Sequence, residues 1–143
     1  MKITIHCTAS ANGKPYTLTQ CKNDHKARGF KTIGYHYLIS PTGRTEAGRN
    51  EEETGAHVEG HNDHNLGIAL VGTDRFSPQQ FSAMRVLLDD LTHRLSIMPW
   101  EIYCHYEWDT AKTQGKTCPN IRSVNLLSWY LMSNDEAIKD YLL

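Results

Sequence analysis

The run Leu66-Gly67-Ile68-Ala69-Leu70-Val71-Gly72 contains no polar side chain. An extended segment of this kind is apolar on both faces, which is the pattern of a strand at a central position of a sheet. The residues after it read as a helix: Ser77-Pro78-Gln79-Gln80 is a capping box with proline at the first helical position, and Phe81, Met84, Leu87, Leu88, Leu91 and Leu95 continue at helical spacing. Lys2 to Cys7 alternate instead, with Ile3, Ile5 and Cys7 on one face and Thr4 and His6 on the other. That alternation predicts a first strand buried on one side, with His6 pointing away from the main aliphatic core.

Weaker signals fill the gaps. Thr17 caps a short helix running to about Gly29. Gly34 to Ser40 and Thr45 to Gly48 flank the turn Pro41-Thr42-Gly43-Arg44 and predict a hairpin, with Tyr35 and Tyr37 on a shared face. Arg49 to Asn65 is polar, contains glycine and carries His57, His61 and His64, so it reads as an irregular functional loop. Glu101 to His105 predicts a short strand. Val124 to Leu131 and Asn134 to Leu142 predict closing helices, the second started by a Ser-x-x-Glu box at Ser133 to Glu136.

A chain of 143 residues fits one domain, residues 1–143, large enough to bury a core without staples. The net charge of −1, with both signs interspersed, leaves no electrostatic footprint for a polyanion, so nucleic acid is not expected as a partner. Met1-Lys2-Ile3-Thr4-Ile5 is too short and polar for a signal peptide, and no later segment approaches a membrane span; the expectation is a chain made in the cytoplasm, without membrane insertion. Cys7, Cys21, Cys104 and Cys118, irregularly spaced, read as thiols and ligands rather than a disulfide framework.

The chemistry concentrates in His105-Tyr-Glu-Trp-Asp-Thr-Ala-Lys-Thr-Gln-Gly-Lys-Thr-Cys118-Pro. His105 and Cys118 are zinc-type ligands, and Lys116, two residues before the thiol in an extended segment, points the same way. His6 is the candidate third ligand. Two imidazoles and one thiolate would leave a fourth position for water, the arrangement a hydrolase needs. Cys104 and Cys7 adjoin these ligands but face the opposite side of their strands, toward the core. His57 is a candidate lining of a substrate groove, His61 and His64 face solvent, and His25, His36 and His93 are structural. Trp100, Trp108 and Trp129 fit either core or groove wall. The chain lacks a His-Glu-x-x-His motif, which excludes the helix-based peptidase arrangement.

The chain resembles the zinc N-acetylmuramoyl-L-alanine amidases that share a fold with peptidoglycan recognition proteins, and is similar to their T-seven phage lysozyme type. The resemblance rests on Ile5-His6-Cys7-Thr8-Ala9, Gly34-Tyr35-His36-Tyr37, Gly43 to Arg49, Gly55 to Gly60, Leu66-Gly67-Ile68 through Val71-Gly72, His105-Tyr106-Glu107 and Lys116-Thr117-Cys118-Pro119, in that order along nearly the whole chain. It implies an α/β fold, a central mixed sheet with flanking helices. It also implies zinc held by His6, His105 and Cys118, with Tyr35 and Lys116 acting on the substrate. Two departures stand out: the spacing of 13 between His105 and Cys118 is longer than in the similar phage proteins, and Ala69 occupies a central-strand position where many relatives have Glu.

The implied activity is hydrolysis of the amide between N-acetylmuramic acid and L-alanine in bacterial peptidoglycan. A phage or prophage endolysin is the leading expectation, made in the host cytoplasm and acting at the wall after release. A wall-recycling amidase shares the chemistry, and a non-catalytic peptidoglycan-binding module shares the fold, although such modules usually lose a zinc ligand. The T-seven type also inhibits its phage RNA polymerase through residues preceding the first strand; this sequence has no such extension, so polymerase inhibition is unsupported.

Overall fold

The computed structural model describes residues 1–143. Five strands, β1 (Lys2–Cys7), β2 (Tyr37–Ile39), β3 (Thr45–Ala47), β4 (Asn65–Leu70) and β5 (Ile102–Cys104), form one sheet in the order β3-β2-β4-β1-β5. β1 runs parallel to β4 and β5, β2 runs parallel to β4, and β3 returns antiparallel to β2. The sheet is therefore mixed. Every residue of β4 is buried, as the apolar run from Leu66 to Leu70 requires of an interior strand.

The alternation of β1 separates two faces. Ile3, Ile5 and Cys7 join Leu66, Ile68 and Leu70 in the larger core, which Phe81, Met84, Leu88 and Leu91 of α2 (Pro78–Arg94) and Leu126 and Trp129 of α4 (Ser123–Met132) cover. Each such side chain contributes about 1.5–3 kcal/mol by leaving water, so this face carries most of the stability. The opposite face holds a smaller cluster of Cys21 from α1 (Leu18–Ala27), Ile33, Leu38, Ala69 and Val71. The thinner cover leaves room for a polar site on that side.

The predicted capping box of α2 forms, and the predicted Thr17 cap of α1 is part of a capping box with Gln20. The Gln20 N–H bonds Thr17 Oγ1 at 3.1 Å, and the Gln80 N–H bonds Ser77 Oγ at 3.0 Å. Gln80 does more than cap: its buried amide donates to the carbonyls of Ile39 and Val71 at 3.1 and 2.9 Å, tying the ends of β2 and β4 to the start of α2. Replacing it by an apolar residue would strand the Val71 carbonyl and the Ser77 N–H, at a cost of about 1–3 kcal/mol for each buried group left unpaired, while the Ile39 carbonyl would keep the Val71 N–H.

Three expectations need correction. Tyr35 and Tyr37 do not share a face, because the chain bends at Gly34 and His36 and β2 starts only at Tyr37; Tyr37 packs on the larger core and Tyr35 on the smaller. The final helix is a 3-10 helix over Asp135–Tyr141, and its Ser-x-x-Glu box does not form. Ser133 instead ends α4 in the left-handed conformation, at φ 50°, whereas an N-cap needs an extended backbone. Finally, β1 is buried on both sides rather than one, since Thr4 and His6 are covered as fully as Ile3 and Ile5, and the span between His105 and Cys118 that helps cover them contains a short helix, α3 (Asp109–Thr113).

Candidate metal centre

His6 lies on β1 opposite the larger core, in register with Ala69 of β4. β5 is parallel to β1 with Ile5 opposite Cys104, so the next residue along, His105, emerges beside His6, with ring centroids 4.5 Å apart. Cys118 reaches the same point through backbone ties. The Cys7 N–H donates to its sulfur at 3.0 Å, and its carbonyl accepts from the Tyr106 N–H at 3.0 Å. One donor atom from each of His6, His105 and Cys118 lies within 4.8 Å of the other two. Cys104 is buried in the larger core and bonds the Ile121 carbonyl, away from this cluster.

The surroundings keep the two imidazoles in ligand form. Burial, then the neighbouring His57 and His105, holds His6 well below the ordinary imidazole range. Burial, then the Lys116 ammonium, holds His105 at about 4. Both rings are therefore neutral near pH 7 and carry a free lone pair. Without a cation, the Cys7 thiol and burial push Cys118 up, while the Cys7 backbone works the other way. A metal ion would reverse that balance, since a coordinating thiol is deprotonated. Two imidazole nitrogens and one thiolate make a borderline-soft donor set that fits zinc, not magnesium or calcium.

The three donors border an open cavity of about 730 Å³, together with Tyr35 and Lys116. The Tyr35 ring lies 5.1 Å from that of His6, and burial pushes its phenol well up, so it stays a hydrogen-bond donor. Lys116 is exposed on the approach to the cluster, its backbone N–H held by the Ala111 carbonyl at 2.9 Å at the end of α3. α3 thereby sets the position of the lysine, a contribution the sequence pattern did not reveal.

The remaining histidines divide by partner. His57 borders the cavity with its ring against His6: its Nδ1 is 2.9 Å from His6 Nε2 and its Nε2 is 2.8 Å from the Asn65 carbonyl. His61 is not simply solvent-facing; it bonds Asp109 at 2.6 Å and stacks on Trp108, whose Nε1 donates to Thr4. His64 is exposed. His25 and His36 each accept a backbone N–H, from Gly34 and Gly67, but His25 also borders the cavity and packs on Tyr35 at 5.1 Å. Trp129 is core and Trp100 is exposed. Asn120, which sequence reasoning missed, borders the cavity and donates to the Thr73 carbonyl at 2.8 Å; its place just after Cys118-Pro119 was the available signal.

A mixed sheet with a His, His, Cys donor set on one face, flanked by a phenol and an ammonium at an open groove, defines an α/β domain built around a candidate metal centre. Residues 1–121 match the family model described as N-acetylmuramoyl-L-alanine amidase, and the chain belongs to that family. It is similar to the endolysin of Klebsiella phage KP32, 34% identical over 137 residues, which are 90% of this chain and 84% of the relative. Matches to the endolysins of Enterobacteria phage K11 and Escherichia phage T7 are 34% and 33% identical over 61% and 60% of this chain; they span less than two thirds of those relatives, 63% and 62%. Among solved structures, the N-acetylmuramoyl-L-alanine amidase LysC from Clostridium intestinale URNW superposes with a TM-score of 0.78 at 27% identity, over 91% of this chain and 83% of that one. Drosophila peptidoglycan recognition protein SD shares the fold, with a TM-score of 0.72 at 23% identity over 89% and 78%. No helix is long and apolar enough to cross a membrane.

Proposed function

We propose that the protein is a zinc-dependent N-acetylmuramoyl-L-alanine amidase of the endolysin type, which hydrolyses the amide between N-acetylmuramic acid and L-alanine in bacterial peptidoglycan. The observation that carries this reading is the intact His6, His105 and Cys118 set, within 4.8 Å at the border of the groove. Membership of the amidase family supports it, as do endolysin relatives in phages. A module that only bound peptidoglycan would have no need of the complete set.

His6, His105 and Cys118 would hold the ion. Zinc bound by three protein donors supplies a Lewis acid and lowers the pKa of its water toward neutrality. The protein's own groups do the rest. The Lys116 ammonium, free of any carboxylate partner within salt-bridge distance, neutralises the oxyanion as the amide carbonyl is attacked. The Tyr35 phenol, kept protonated by burial, donates a hydrogen bond that orients the carbonyl. Synthesis in a host cytoplasm and action on the wall after release complete the endolysin reading.

The direct check is metal analysis of protein purified without chelator, paired with activity on isolated peptidoglycan. One zinc per chain is expected, with activity abolished by chelation and restored by zinc. Metal content well below one per chain, unchanged in Cys118→Ser, would remove the basis of the proposal.

A further inference from the structure

Two imidazoles in series connect the candidate metal centre to the backbone of β4. The Asn65 carbonyl, 2.8 Å from His57 Nε2, can only accept, so that nitrogen carries the proton. His57 Nδ1 is then an acceptor, and the proton of its 2.9 Å bond to His6 must sit on His6 Nε2. A neutral ring has one N–H, so His6 is left with Nδ1 as its free lone pair. A metal ligand's second nitrogen usually makes a hydrogen bond of this kind, which fixes both tautomer and ring orientation.

The surroundings are built to keep His57 in place. Its backbone N–H and that of Val58 both donate to Asn62 Oδ1, at 2.9 and 2.8 Å. Asn65 is held through its side chain, which accepts from Thr4 Oγ1 and donates to the His61 carbonyl, each at 2.8 Å. Glycines make room for the ring: a Cβ on Gly67 would lie 2.8 Å from His57 Cγ, and one on Gly55 would lie 2.7 Å from His57 Cδ2. Real Cβ atoms do not approach so closely, so any side chain there would displace the ring.

We infer that His57 is a positioning residue that fixes His6 in its Nε2–H tautomer and so commits Nδ1 to the metal. The inference rests on the proposed zinc site. It gives His57 a role exerted through His6, because both its ring nitrogens are engaged and neither remains for a substrate.

The test compares His57→Asn with His57→Leu, side chains of nearly equal size and shape. Both lose the bond to the Asn65 carbonyl, but Asn presents Oδ1 where Nδ1 stood and can still accept from His6. Zinc dissociation constants are measured by competition with a chromophoric chelator, and the His6 tautomer by imidazole nitrogen NMR of metal-free protein. Wild-type His6 is expected as Nε2–H. His57→Leu should weaken zinc binding by about 10–100-fold and mix the tautomers, while His57→Asn should recover most of both losses. Equal losses in the two variants would reduce His57 to packing and overturn the inference, as would a wild-type His6 protonated on Nδ1. Should His57→Leu not fold, the tautomers of wild type and His57→Asn still decide. Wild-type protein that binds no zinc overturns the amidase reading and this inference together; zinc bound with the wrong tautomer overturns this inference alone.

Discussion

The sulfur of Cys118 lies 3.0 Å from the backbone nitrogen of Cys7, the residue after His6, although 111 residues separate the two cysteines. The far end of the α3 segment is thereby docked on the same strand that supplies the first imidazole. An N–H aimed at sulfur favours the thiolate, but the Cys7 thiol and burial oppose ionisation more strongly, so a cation is needed to complete it. Cys118→Ser is expected to lose tightly bound zinc and activity together. Because Cys118 is only partly buried, the chelated variant should melt close to the chelated wild type. A full zinc complement in Cys118→Ser would show that the ion sits elsewhere.

Lys116→Ala and Tyr35→Phe separate chemistry from metal retention. Loss of one oxyanion donor typically costs about 10²–10³-fold in rate, or roughly 3–4 kcal/mol of transition-state stabilisation. Lys116 is exposed, so its removal should leave zinc content and melting temperature nearly unchanged. Tyr35→Phe keeps the ring against His6 and removes only the hydroxyl. Rates near wild type in both variants would leave the metal alone to account for catalysis.

The metal-free protein should lose stability on mild acidification. His25, His57 and His105 each titrate at about 4 in the folded chain, chiefly because burial disfavours the imidazolium, against an ordinary value of 6.5. Between about pH 6.5 and 4 the unfolded chain therefore binds more protons than the folded one, so stability rises with pH across that window and levels off above it. Denaturant midpoints measured with chelator from pH 4 to 8 should trace this shape. A flat profile below pH 6.5 would contradict the neutral, buried state of these rings.

Gly67→Ala offers a steric probe that leaves every polar group chemically intact. The new Cβ would stand 2.8 Å from the His57 ring, close enough to force it from its seat between β4 and His6. Overpacking of this sort costs about 1–3 kcal/mol. The variant should fold with lowered stability and hold zinc less tightly, as competition with a chelator would measure. Unaltered affinity would mean that the ring can shift without consequence for His6.

The parts legible in the sequence are those fixed by local pattern. The apolar run of β4 demanded an interior strand, the Ser77 box started α2, and alternation alone put His6 on the face away from the larger core. His6, His105 and Cys118 could be named from residue type, and the parallel register of β1 with β5 explains why two of them meet. What stayed hidden depends on tertiary geometry. Tyr35 turned to the smaller cluster because the chain bends before β2, and Ser133 was taken by the end of α4 before it could start another helix. The bond from His57 to His6 spans 51 residues and exists only because β4 lies beside β1, which no spacing within the 55–65 loop could disclose.

The central claim is the identity of the bond cleaved, and mass spectrometry of digested peptidoglycan reads it directly. Zinc-loaded protein should release peptides bearing a free L-alanine N-terminus and leave the glycan strands intact. New reducing sugar ends without new alanine amino groups would contradict the account.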